Sequence, residues 1–336
     1  MTWRLSAVAA ALLLLMAGCQ SLSYYTQAIG GHLRVMANAR PIDDWLADPA
    51  TDAQLRQRLE TARRIRAFAT RELGLPDNGS YLAYADLNRA AVVWNVFAAP
   101  ALSVEPKPEC FPFTGCVSYR GFYSEAEARR QADKLREDGY DVYVGGVPAY
   151  STLGWFDDPL LSTFIRYPDA QLARLLFHEL SHQLVYAKGD TTFNESFAVT
   201  VEQEGVRRWL AAEGRVGELE AFRATQQRRR EFAERVKQTR ERLAVVYKSS
   251  LPQEAKLEQK AGEWQRLRQS YPGIPAEPNN AFLASVAAYT ALVPAFEQLL
   301  AESGSLEVFY RRARTLAAKP AEREVFVRKS GYRPSS

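Results

Sequence analysis

Phe177-His178-Glu179-Leu180-Ser181-His182 lies in a stretch of helical apolar spacing, about 168–187, that opens near Pro168-Asp169. Residues four apart on an α-helix sit just over one turn apart, so the two imidazoles leave the same face. Their ring nitrogens can converge on one cation at about 2.0–2.1 Å. Glu179 lies one position beyond the first histidine, so its carboxylate can reach water beside such an ion without ligating it. The chain holds only three histidines, the third being His32. Chance sets two of them in His-Glu-x-x-His about once in 500 chains of this make-up.

The sequence downstream supplies a third ligand. Gly189-Asp190 interrupts the helical pattern, and Asn194 is placed to cap a second helix over about 194–212, with Glu195 in its first turn. An antiparallel return brings Glu195 beside the histidine pair. Two neutral imidazoles and one carboxylate leave a fourth position open, the pattern of a catalytic zinc site holding one ion. Asp190 and Glu202 are the other acids to consider as ligands. Asn194 and Glu202 are candidates to meet the second ring nitrogen of a histidine. Glu179 is then the general base. Acyl chemistry also needs an oxyanion donor, and Tyr289, Tyr186 and Tyr150 remain open for that role.

Further from the motif the texture varies. Residues 51–74 have helical spacing through Leu55, Leu59, Ile65 and Phe68. Tyr, Val and Trp then dominate from Ser80 to Phe97, which predicts two strands around Asn88-Arg89. Ser124-Glu125-Ala126-Glu127 opens a helix to about Glu137, and Asp141–Gly145 reads as a strand. Tyr150–Trp155 fits either an edge strand able to pair with an extended peptide or a packed loop. Residues 216–271 read as two long helices meeting near Ser249–Pro252, with a seam through Phe232, Val236, Leu243 and Val246. A last helical pair, about 279–302 and 305–318, precedes a polar tail over 321–336.

The predicted fold is α+β and mostly helical. A small sheet belongs to an α/β part over 51–165. The metal-site helices occupy 166–215 and 272–320, and a helical hairpin over 216–271 is inserted between them. With 47% apolar and 24% charged residues, the 336-residue chain can bury a sizeable core. Its 43 Lys and Arg against 39 Asp and Glu leave +4, too little for its size to argue for nucleic acid. Eight basic residues face three acidic ones between Arg223 and Arg242; the bland reading is a solvated helix face, the alternative a contact with anionic lipid or a partner.

Arg4 is the only charge before the apolar run Leu5–Ala17. As a helix that run reaches about 20 Å, short of the roughly 30 Å bilayer core, so 1–18 reads as a signal peptide and 19–50 as a linker becoming folded. Three cysteines exclude a thiolate-rich metal array. In an exported chain Cys110 and Cys116, flanking a short turn-prone segment, are expected to pair.

Two resemblances add to these readings. Met16-Ala17-Gly18-Cys19 resembles the bacterial lipobox, which implies cleavage before Cys19 and lipid on its sulfur; Gln20 after it implies the outer membrane of a Gram-negative cell, the chain facing the periplasm. His-Glu-x-x-His with a glutamate on the next helix resembles the gluzincin metallopeptidases. The segments Cys110–Cys116, Tyr150–Pro159, His178–Gln183 and Phe193–Ala198 together resemble the bacterial putative aminopeptidase lipoprotein family. That resemblance implies zinc, peptide substrates and hydrolysis in the cell envelope. Twelve residues separate His182 from Glu195, fewer than in thermolysin-like enzymes, so details of their sites do not transfer. Aminopeptidase action would need an acid near the metal for the substrate α-ammonium, such as Asp157 or Asp158; endopeptidase and carboxypeptidase action stay open. A different reading is a zinc-holding envelope lipoprotein that binds partners through the 216–271 hairpin without catalysis. Glu179 argues against it, because a structural site has no use for that carboxylate.

Overall fold

The computed structural model describes residues 24–111, 115–271 and 274–330. The signal segment and Cys19 lie outside the described residues. The described residues open with a helix, α1, over 24–37, followed by β1 (Ala39–Pro41), α2 (Ile42–Ala47) and α3 (Ala53–Leu73). Residues 24–47 are therefore folded elements, not the linker expected of them: Val35 and Ile42 belong to the main core. Gly31 allows close approach, since a Cβ there would stand 2.2 Å from the Tyr123 ring.

Strands β2 (Ala83–Ala85) and β3 (Val93–Pro100) flank Asn88-Arg89 as expected, yet they do not pair with each other. β2 lies between β1 and β8 (Leu160–Leu161) in one small sheet. β3 is the centre of another, between β6 (Arg120–Phe122) and β7 (Tyr140–Val147), both antiparallel to it. Helix α4 (Glu125–Glu137) starts where Ser124 accepts the Glu127 N–H, and its Ala128, Ala132 and Leu135 cover one face of the β3 sheet. β4 (Glu109–Phe111) and β5 (Gly115–Val117) form a ribbon in which Cys110 stands opposite Cys116, and the two are disulfide-bonded. Tyr150–Trp155 is a loop, not an edge strand: Leu153 and Gly154 both take positive φ, which breaks extended backbone.

Helices fill the rest: α5 (Asp169–His182), α6 (Thr191–Ala212), α7 (Val216–Lys248), α8 (Gln253–Ser270), α9 (Asn280–Thr290), α10 (Val293–Ser303), α11 (Leu306–Ala318) and α12 (Pro320–Lys329). The architecture is α+β and mostly helical, with sheets of two or three strands.

Three boundaries differ from the sequence reading. α5 stops at His182 instead of continuing to 187. The expected 279–302 helix is two, because Pro294 in the first turn of α10 has no N–H to continue a ladder, and Leu292 N–H turns to Ser196 Oγ at 3.2 Å. The expected polar tail from 321 is helix α12 as far as Lys329; Val327 is buried, and Phe326 meets the Phe296 ring at 5.0 Å. The stretch Asn280–Ser303 is long and apolar enough by composition to cross a membrane, but half of it is buried inside the protein.

The main core takes side chains from Val35 to Val327 and so joins 51–165 to the helices after 166, while a smaller cluster through Val96, Phe122, Ala128 and Val142 lies between the β3 sheet and α4. α5 and α6 run side by side within the main core. Gly205 on α6 lets them approach, for a Cβ there would meet Phe177 at 2.6 Å and Leu73 at 2.8 Å. The α7–α8 hairpin docks on α9 and the 101–107 loop through Val236, Leu243, Leu267, Phe282 and Val104. Lys260 Nζ fastens it, donating to Asp141 Oδ2 at 2.7 Å and to the Ala101 carbonyl at 2.9 Å.

Candidate metal centre

Arg174, His178 and His182 follow at four-residue steps and share one face of α5. Glu195 and Glu202, two turns apart on α6, face them. The His178 ring is held between both carboxylates: Nδ1 is 2.9 Å from Glu202 Oε2, and Nε2 is 3.2 Å from Glu195 Oε2. His182 Nε2 stands 3.3 Å from His178 Nε2 and 3.7 Å from Glu195 Oε2. All three residues are buried, and their ligand atoms lie within 4.8 Å of one another.

This donor set fits a divalent ion. Ligand atoms about 2.0–2.1 Å from a tetrahedral ion stand about 3.3 Å apart, close to the spacings found. A carboxylate only accepts hydrogen bonds, so Glu202 fixes the proton on His178 Nδ1 and leaves the Nε2 lone pair for the shared point. Charge agrees with geometry. Burial alone would discharge His178, but its hydrogen bonds to Glu195 and Glu202 outweigh it and raise its pKa. At His182 burial dominates and lowers the pKa. Carboxylates that would hold a proton on one imidazole also favour a cation between the two.

Glu202 is almost fully buried and is itself braced. Arg174 Nη1 donates to both of its oxygens at 3.1 Å. Burial would raise the Glu202 carboxyl, but Arg174 and His178 outweigh it and hold it low. Glu195 is held low in the same way by His178 and His182 against its burial. Glu179 differs. It is buried with no hydrogen bond or ion pair among the described residues, and burial lifts it to about 7, with Glu195, Asp158 and Glu202 adding to the rise.

Two of the remaining expected residues occupy other places. Asp190, not Asn194, caps α6, its side chain accepting the Phe193 N–H at 3.0 Å; it also pairs with Arg323 at 3.0 Å and lies outside the His178–His182–Glu195 group. Asn194 closes the α5–α6 turn by exchanging two hydrogen bonds with the Ala187 backbone, at 2.7 and 2.9 Å. Its side chain is thereby engaged away from the histidine rings, so it does not meet their second nitrogens.

The three tyrosines separate. Tyr289 on α9 lies nearly parallel to the His178 ring, with centroids 6.4 Å apart. Tyr289 and Tyr186 both have phenols raised by burial and then by the Glu195 charge. Tyr150 instead bonds His32 Nδ1 at 2.8 Å and stacks edge-on with Tyr123. Tyr119, in coil before β6, was not among the expected residues, yet burial and then Glu195 raise its phenol too. A lone tyrosine between short strands gives no sequence signal. Of the two candidate acids, Asp157 is exposed, whereas Asp158 is 2% exposed, and its Oδ2 accepts the Thr152 N–H at 2.9 Å.

The disulfide ribbon reaches this centre indirectly. A Cβ on Gly115, whose φ is +78°, would stand 3.1 Å from the Gly189 backbone, and Ser118 N–H reaches Thr191 Oγ1 at 3.4 Å. The ribbon thus leans on the turn that joins the two ligand helices.

A family model described as "Putative aminopeptidase" matches residues 23–326. No curated protein and no solved structure matches the chain.

Proposed function

The chain belongs to the family described as "Putative aminopeptidase", and from that premise we propose that it is a zinc-dependent peptidase acting on the amino end of peptides. His178, His182 and Glu195 would hold the ion. The observation that carries this reading is the convergence of two imidazole nitrogens and a carboxylate oxygen within 4.8 Å, in a buried site beside an uncommitted Glu179.

Zinc, when bound to such a set, supplies Lewis acidity that polarises a carbonyl and acidifies water. The protein's own groups do the rest. Hydrolysis adds water across the peptide bond, its oxygen to the carbonyl carbon and a proton to the leaving nitrogen. The Glu179 carboxylate takes that proton and passes it on, and a carboxyl lifted toward neutrality can do both. Glu202, braced by Arg174, keeps His178 in one tautomer and orientation. Tyr289, Tyr186 and Tyr119 stay protonated because burial raises their phenols, so each can donate to a developing oxyanion. Asp158 is the acid best situated to receive an α-ammonium. The chain is also read as exported and anchored by lipid on Cys19 in the outer membrane, facing the periplasm.

The test is metal content together with hydrolysis of free and N-blocked peptides by wild type and Glu179→Gln. The variant should keep its zinc and lose at least about 100-fold in turnover, and blocked peptides should be spared. Equal turnover in both proteins would remove Glu179 from its role. Zinc retained in a wild type that hydrolyses nothing would favour a non-catalytic partner-binding lipoprotein.

A further inference from the structure

Large apolar side chains are exposed together at one place. On α1, Ile29 and Leu33 are 60% and 56% exposed; in the loop before β8, Trp155 and Phe156 are 78% and 50% exposed. The two groups adjoin, because the Phe156 ring lies 4.6 Å from the His32 ring. Ile29 and Leu33 follow His32 around the outward side of the helix, while Gly31 and Val35 face the protein. α1 is therefore apolar on both sides. A contiguous exposed apolar patch marks a surface with a partner, and Trp at its edge suits a membrane–water interface.

The chain leading to α1 says which partner. The described part of α1 starts at residue 24, five positions after Cys19. Five extended residues span at most about 18 Å. Lipid on Cys19 would hold α1 within that distance of the bilayer. Exposed Arg34 follows Leu33 and suits anionic headgroups. Lipid on a single terminal residue tethers the chain but leaves the folded body free to turn, so a protein contact beside it is what would set orientation. We infer that the outer face of α1 and the Trp155–Phe156 loop seat on the lipid bilayer, as a protein contact beside the Cys19 lipid that fixes how the metal centre faces the membrane. This rests on the lipid-anchor reading and not on the peptidase reading.

The experiment places the mature lipidated protein on phosphatidylethanolamine–phosphatidylglycerol vesicles, with and without lipid brominated near the headgroup end of its chains. The Trp155 share of the fluorescence is the difference between wild type and Trp155→Phe. Bromolipid should quench that share at least twofold, and Ile29→Glu with Leu33→Glu should abolish the quenching. Hydrolysis of a short soluble peptide by the double variant should match wild type and shows that it is folded; circular dichroism serves if no form hydrolyses peptides. A Trp155 share untouched by bromolipid overturns the inference, as does a mature chain whose mass shows no lipid on Cys19. Absent quenching with a tenfold loss of turnover in Trp155→Ala would make the patch a peptide entrance instead.

Discussion

At the residue scale, His178 depends on partners outside the His178–His182–Glu195 group. Glu202→Gln keeps the shape of the side chain but weakens its grip on the Nδ1 proton and on Arg174. Zinc affinity should fall 10- to 100-fold in chelator competition, with the fold intact. Asp158 makes a different prediction. Burial raises its carboxyl from 3.8 to about 6. Its contribution to stability is therefore complete below about pH 4 and is lost as pH rises to about 6, because the unfolded chain ionises first. Asp158→Asn should remove this component. Urea titrations across that window should show the variant gaining on wild type by on the order of 1–3 kcal/mol by pH 7. The placing of His178, His182 and Glu195 was legible in the sequence because helix spacing and one turn determine it locally. Tyr119 was not, since only the packing of the chain before β6 brings it there; Arg174 keeps the four-residue spacing of the histidines, but its pairing with Glu202 depends on how α5 and α6 pack.

At the scale of elements, helix ends were the hardest feature to read. Leu184, Val185 and Ala187 continue an apolar pattern past His182, and nothing local shows that Asn194 will take the Ala187 backbone and turn the chain there. Strand existence was legible near Asn88-Arg89, but strand partners were not, because pairing is non-local. The disulfide ribbon has a testable share in this arrangement. Cys110→Ser with Cys116→Ser opens a short loop and should cost about 2 kcal/mol in chemical denaturation. It should also weaken zinc binding, because the ribbon supports the turn at Gly189. Unchanged zinc affinity in the reduced-loop variant would show that the turn holds itself.

At the scale of the whole molecule, one apolar core gathers residues from both ends of the described chain. The sequence suggested parts because composition changes along it; the structure joins them because α3 packs on α5 and the last helix returns to Phe193 and Phe296. Phe326→Ala should therefore destabilise the entire protein in a single transition, by about 2 kcal/mol, and not merely fray α12. Calorimetry showing an unchanged main transition would contradict this. The grip on His178 has a last consequence. An imidazole tethered at both nitrogens is a rotor that folding has already stopped, whereas His182 Nδ1 has no hydrogen-bond partner among the described residues. Of the two rings, that of His182 is held by the fewer hydrogen bonds, so more of the ordering cost of capturing an ion falls on its side of the site.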